Sequence, residues 1–375
     1  MLTKHIIEHI ENWAPPAISW DKDNVGLQIG SKKIKIKNIF LCLELTENAL
    51  KQALQKNCNL IFTHHPFLFK PLKKIDISSD PKSKLIETLI KKNITIYSAH
   101  TNLDFTKDGV SFELAKVLEL ENIVFLENQN SNQYKVVVFV PQDNIDKLSE
   151  SLFDAGAGII GEYEKCSFKL DGKGTFVGNE KTNPAIGRKQ KFENVNEVRL
   201  ELLVDSWKLK NVIAALKNNH PYEQPAYDIY SLKNENVNYG FGAIGNLKHG
   251  MNKTEFLKHV SKKLKINSLR YSDIEQNKKI NKVAVCGGSG SELLNSAIQN
   301  KADAFVTADV KYHTFHDAEN KILFVDAGHY ETEIHSLNAV KSKLEKFISE
   351  KSEKIKIYSY NGSTNPVKYF NNERS

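Results

Sequence analysis

Four short stretches of this 375-residue chain are apolar at nearly every position, and this constrains the fold more than any other property. They read Asn38-Ile39-Phe40-Leu41-Cys42-Leu43, Asn59-Leu60-Ile61-Phe62-Thr63, Lys282-Val283-Ala284-Val285-Cys286 and Ile322-Leu323-Phe324-Val325-Asp326. A β-strand sends successive side chains to opposite faces, so a continuously apolar strand must be covered on both. Amphipathic helices fit between the runs, at 46–57 and 81–92, with a third strand at 94–98 and a helix at 109–119. The expectation is an α/β fold with largely parallel strands between helical layers. A chain this long also exceeds one ordinary core, so two or three domains are expected.

The texture changes near residue 125. Glu127-Asn128-Gln129-Asn130-Ser131-Asn132-Gln133 is polar and lacks a period, and reads as a linker. Beyond it the pattern runs strand (134–140), helix (145–153), two strands (around 166–170 and 197–204), helix (208–218) and strand (226–231). That β-α-β-β-α-β order is the ferredoxin-like arrangement. A second polar seam, Asn234-Glu235-Asn236-Val237-Asn238, precedes a return to the α/β rhythm. The chain therefore reads as a split α/β body with mixed sheets, residues 1–130 and 236–375, interrupted by an inserted module at 131–235.

Histidines and carboxylates stand where the apolar runs end. His64 and His65 follow the 59–63 run; His100 and Asp104 follow Ile94-Thr95-Ile96-Tyr97; His329 and Glu333 follow the 322–326 run. Ligands converging from rigid elements are what a hydrolytic metal centre needs, and three such exits point to one with two ions. Neighbouring strand residues diverge, so His64 and His65 can serve one centre only where the backbone turns, and Pro66 keeps His65 out of the helical region. Asp104 could bridge two ions or simply form a turn. His100 suits proton transfer. His329 and Glu333, four apart at a helix start, share a face, whereas Glu331 points away. Asp309, His313 and His316 form a further polar strand exit that could contact the ligands or the substrate. Gly287-Gly288-Ser289-Gly290-Ser291 is either a tight strand-to-helix turn or a loop whose amides approach an anion.

Composition excludes more than it identifies. No apolar stretch reaches the ~18 residues that span a bilayer, and the first residues lack a secretory apolar region. Cys42, Cys58, Cys166 and Cys286 are scattered without a C-x-x-C pair, which fits the reducing cytoplasm and argues against a thiolate zinc site. The net charge of +7 comes from dispersed lysines rather than from a basic face, so nucleic acid is not the expected partner. A nucleotide or other phosphorylated small molecule suits the same excess.

At these residues the sequence resembles the dinuclear-metal-centre family known as GTP cyclohydrolase 1 type 2 homologues. The resemblance runs through Trp20-Asp21 with Asn24-Val25-Gly26-Leu27-Gln28, Thr63-His64-His65-Pro66, Ala99-His100-Thr101-Asn102-Leu103-Asp104, Gly287-Gly288-Ser289-Gly290, Thr307-Ala308-Asp309-Val310-Lys311-Tyr312-His313 and Gly328-His329-Tyr330-Glu331-Thr332-Glu333. It implies that His64, His65, Asp104, His329 and Glu333 ligate two divalent ions, and that the chain forms a toroidal homohexamer. It further implies a PII- or CutA-like insert, marked by Gly174-Thr175-Phe176 and Pro184-Ala185-Ile186-Gly187. Glu44 stands where the family pattern leads one to expect aspartate. The expected function is a metal-dependent hydrolase of a nucleotide-like or phosphorylated molecule, with zinc, iron or manganese and with His100 or His313 moving the proton. The alternative is a metal-handling or regulatory protein without turnover.

Overall fold

The computed structural model describes residues 1–275 and 278–369. They divide into two compact units: Met1–Glu127 with the chain from Tyr239 onward, and Asn128–Asn238.

The first unit opens with α1 (Thr3–Trp13), β1 (Gly26–Ile29), β2 (Asn38–Cys42), α2 (Glu47–Gln55), β3 (Leu60–Thr63), α3 (Pro81–Lys91) and β4 (Thr95–Ser98). The short α4 (Thr101–Asp104), then α5 (Val110–Val117) and β5 (Leu120–Gln129) follow. The second unit comprises β6 (Gln133–Pro141), α6 (Ile145–Asp154), β7 (Ser167–Val177), β8 (Phe192–Asp205), α7 (Leu209–Asn219) and β9 (Tyr227–Ser231). The chain then continues through β10 (Asn236–Met251), α8 (Lys253–Leu264), β11 (Arg270–Tyr271), β12 (Ile280–Ser289), α9 (Leu294–Gln299) and β13 (Ala304–Ala308). Last come α10 (Tyr312–Ala318), β14 (Leu323–Asp326), α11 (His329–Glu333), α12 (Ser336–Glu350) and β15 (Lys356–Ser359).

Two mixed sheets build the first unit. One has the order β1-β4-β3-β2-β15, parallel except for β1. Its apolar strands are covered on both faces, as their continuous runs require. Ile39, Leu41, Leu60 and Phe62 pack with Ile6, Ile7 and Ile10 of α1 and Leu337, Val340 and Leu344 of α12. Phe40, Cys42 and Ile61 face the other way, against Ala49, Leu50 and Ala53 of α2 and Ile86 and Leu89 of α3. The second sheet has the order β11-β14-β13-β12-β10-β5, with β12, β13 and β14 parallel. Val283, Val306 and Val325 pack toward α8, while Ala284, Phe305 and Phe324 pack toward α9.

The second unit is a four-stranded antiparallel sheet in the order β7-β8-β6-β9, with the β-α-β-β-α-β connectivity expected from the sequence. Val136, Val138 and Val140 of β6 pack with Leu148 and Leu152 of α6 and Val212 and Leu216 of α7. One expectation fails at its edges. The seams read as linkers are largely strand, because β5 reaches Gln129 and β10 starts at Asn236. Among the described residues no helix is long and apolar enough to cross a membrane.

Candidate metal centre

The parallel strands of both sheets deliver their carboxyl ends to one place. β3 exits into His64 and His65, β4 into His100 and α4, and β14 into α11. Such strand ends are where open α/β sheets hold ligands. The turn after β3 resolves the divergence of adjacent residues: the His65 amide donates to Leu43 O (2.9 Å), and the His64 and His65 rings lie 4.9 Å apart. The His100 ring stands 5.2 Å from His64 and 5.3 Å from His65, and His329 stands 5.4 Å from His65.

Each of these four rings has its Nδ1 occupied. His64 Nδ1 is 2.9 Å from Ala99 O, and a carbonyl only accepts, so Nδ1 carries the hydrogen. His65 Nδ1 lies 2.8 Å from Glu44 Oε1, His100 Nδ1 lies 3.0 Å from both Asp23 oxygens, and His329 Nδ1 lies 2.6 Å from Asp309 Oδ2. Metal-binding imidazoles are typically fixed in this way, with the free nitrogen oriented by a partner on the other.

The opposite nitrogens meet carboxylates. His64 Nε2 is 3.6 Å from Asp104 Oδ1 and 3.7 Å from Glu333 Oε1; His65 Nε2 is 3.0 Å from Glu333 Oε2; His329 Nε2 is 3.0 Å from Glu333 Oε1. Two overlapping groups have ligand atoms within 4.8 Å of one another: His64, His65 and His100, and His65, His329 and Glu333. His64 Nε2 and Asp104 Oδ1 are buried without a hydrogen-bond partner. Buried polar atoms are rarely orphaned, and two that face each other at 3.6 Å are the pattern that a cation between them satisfies. Imidazole and carboxylate suit a divalent ion.

The electrostatics agree. Burial disfavours the charged form of His65, but the adjacent Glu333 and Glu44 carboxylates outweigh it and raise its pKa to about 10. His329 is raised to about 9 against burial by Glu333 and Asp309. Burial raises Asp104, with Glu333 adding to the effect. Glu333, despite burial, is held well below the usual carboxylate range by His64, His329 and His65. Carboxylates dominate this cavity and draw in positive charge.

The structure thus brings together His64, His65, His100, Asp104, His329 and Glu333. It does not bring in His313, which is exposed on α10 with Tyr312 as its ring neighbour at 5.5 Å. The helix turn that follows β13 carries it away, and from that exit Asp309 is the residue that reaches the centre. His316 is likewise exposed and lies 3.8 Å from Glu319. Glu331 accepts from Asn365 Nδ2 (2.8 Å), outside the cluster. Nor does the glycine loop cradle an anion. The amides of Gly287, Gly288 and Gly290 donate to Ser111 (3.3 Å), Thr332 (3.0 Å) and Thr307 (3.0 Å) hydroxyls.

Sequence reasoning missed Asp23. Its carboxylate accepts from the Thr101 amide (3.1 Å) and hydroxyl (2.6 Å) as well as facing His100; despite burial, His100 and Thr101 lower its pKa to about 2. Its only signal was its place between Asp21 and Asn24 in the conspicuous early segment. Glu44, where aspartate was expected, meets His65 Nδ1 with one oxygen and accepts from the Thr364 hydroxyl with the other.

Comparison with known proteins places this arrangement. Two curated relatives, each a GTP cyclohydrolase 1 type 2 homolog, come from Halalkalibacterium halodurans and Bacillus subtilis. The first is 38% identical over 366 residues, covering 97% of this chain and 98% of the relative. The second is 37% identical over 368 residues, covering 98% of each. Among solved structures, a Bacillus cereus protein related to NIF3 superposes with a TM-score of 0.86 at 35% identity over 99% of both chains. Staphylococcus aureus protein SA1388 does so with 0.78 at 29%, again over 99% of both. The family model of Duf34/NIF3 (NGG1p interacting factor 3) matches residues 1–366, and this chain belongs to that family.

Proposed function

We propose that this chain holds two divalent metal ions and uses them to hydrolyse a nucleotide-like or otherwise phosphorylated small molecule. One observation carries the reading: four histidines are tied at Nδ1 while the buried, unpartnered ligand atoms of His64 and Asp104 converge beside the Glu333 carboxylate. His64 and Asp104 would hold one ion, His65 and His329 the other, with Glu333 within reach of both. Zinc is the metal best suited to these donors, with iron or manganese as substitutes. Ions bound there would lower the pKa of a water and offset negative charge developing on the substrate.

The chain's own residues supply the rest. Asp23 holds the His100 ring at the edge of the histidine group, where His100 is placed to move a proton. Glu44 and Asp309 fix the His65 and His329 rings. The name of the relatives suggests opening of a purine ring of GTP, one member of this substrate class. By the same family reading, the second unit is a PII- or CutA-like module, and the chain assembles as a homohexamer in the cytoplasm.

The test is elemental analysis of untagged protein beside a His64→Ala/His329→Ala variant, followed by hydrolysis assays on nucleotides. About two ions per chain in the wild type, lost in the variant together with hydrolysis, is the expected result. No bound metal after reconstitution with zinc, iron or manganese overturns the reading. Bound metal that exchanges freely, with no hydrolysis of any nucleotide, leaves a metal-handling protein instead.

A further inference from the structure

Two cavities of opposite character have a residue of the metal cluster in their walls. The smaller, about 250 Å³, includes Asp104 and is lined by Trp20, Phe105, Phe241, Glu127 and Glu292. Its aromatic rings are mutually packed, with Phe105 5.6 Å from Trp20 and 4.6 Å edge-on to Phe241. Trp20 is 54% exposed, which leaves a face for a planar group to cover. Glu127 already accepts from the Ser296 hydroxyl (2.6 Å), whereas Glu292 forms no hydrogen bond among the described residues. Asp104 Oδ1, buried and unpartnered, completes the wall.

The larger cavity, about 810 Å³, includes His65 and Glu44 and extends between α2 and α3. Lys51, Lys82 and Lys84 line it. Lys51 is paired with Glu47 at 2.7 Å; Lys82 and Lys84 form no salt bridge among the described residues, and the Asp80 and Glu47 carboxylates act on them only at longer range. Lys82 lies 5.1 Å from the centre of the Phe67 ring, another wall residue. Two ammonium groups without a close carboxylate, beside the proposed metal centre, favour an anion there.

We infer that the substrate is bipartite: a flat, nitrogen-rich ring with N–H donors lies in the aromatic cavity, and a phosphate tail extends over the cluster toward Lys82 and Lys84. This rests on the metal-centre reading above and specifies its substrate. Aromatic faces select a planar ring, and a carboxylate with free acceptor capacity selects ring N–H groups, which a nucleobase offers and a sugar phosphate lacks. A phosphate tail gains from both the ammonium groups and the bound cations. The ends of the ligand would thus be recognised by different elements, with the bond to be broken held between them.

The experiment is calorimetric titration of the metal-reconstituted full chain with three probes: GTP, guanosine and inorganic pyrophosphate. Lys82→Ala/Lys84→Ala should weaken GTP and pyrophosphate about tenfold and leave guanosine unchanged. Trp20→Ala and Glu292→Gln should weaken GTP and guanosine and leave pyrophosphate unchanged. Metal content is measured on every sample. If metal is bound yet both sets of variants affect all probes alike, or none, the bipartite site is overturned while the metal centre stands. If no metal is retained after reconstitution, the metal-centre reading fails first and the bipartite site, which rests on it, falls with it.

Discussion

Gly288 shows how closely the centre is built at the scale of one residue. Its φ is +62°, and a Cβ there would fall 2.2 Å from Glu333 Oε1 and 3.3 Å from His329 Cε1. Gly288→Ala is therefore expected to lower the metal content per chain and to destabilise the fold by about 1–2 kcal/mol through the positive φ alone. Elemental analysis beside a thermal melt checks this; a variant that keeps both ions would show that Glu333 does not need the position it holds beside Gly288 to support the centre. A second residue prediction concerns His220 in the second unit. Its Nε2 faces Phe139 O (2.9 Å) and its Nδ1 accepts from the Tyr222 amide (3.0 Å), an arrangement that only the neutral ring makes. Burial lowers its pKa below 6.5. As pH falls below 6.5 the unfolded chain binds the proton before the folded one does, so stability is full above that value and declines beneath it. Hydrogen exchange of the β6 amides at pH 7.5 and 5.5, corrected for intrinsic rates, should show this decline in the wild type and not in His220→Gln. The residues that sit directly after apolar runs were readable because the strand announces its own end. Asp23 was not, because a carboxylate in a polar loop carries no period, and its task is set by His100, which lies 77 positions away.

Among the elements, the fully buried parallel strands were the most legible, since a run apolar on both faces has few other uses. β10 shows the opposite case. Asn236–Met251 contains Gly240, Gly242, Gly245 and Gly250, which by composition suggest a loop. Its glycines answer to its neighbour instead: a Cβ at Gly240 would stand 2.4 Å from Glu127 O. β5, with mixed exposure, hides its pattern for the related reason that it forms a sheet edge. The edge strands β1, β11 and β15 likewise escape a periodicity reading, being four residues or fewer. Packing predicts where damage spreads. Phe305 of β13 is wholly buried and stacks 5.2 Å from Phe324 of β14, the strand that leads to His329. Phe305→Ala should cost about 3–5 kcal/mol and loosen the Asp309–His329 pair with it. Denaturant unfolding measures the first, and metal retention during dialysis against a chelator the second.

For the whole molecule, the sequence implied a split body because candidate ligands lay on both sides of the polar seams, and the structure joins those segments in one unit. None of the five proposed ligands belongs to Asn128–Asn238, and β5 and β10, which lead out of and back into the body, are neighbours in one sheet. Replacing residues 131–235 by a short Gly/Ser linker is therefore expected to leave metal content unchanged. Loss of both ions from a variant whose body still melts cooperatively would contradict that assignment of ligands.

The separation of the ligands along the chain has a consequence for biosynthesis. His64, His65 and Asp104 leave the ribosome early, His329 and Glu333 only after some two hundred further residues, and β15, which completes the first sheet beside β2, later still. An early fragment offers loose imidazoles but no closed cage, so ions it meets are held weakly and exchange. On the proposed two-ion reading, firm capture of metal would mark a finished polypeptide, and a nascent or prematurely terminated one would be left without it.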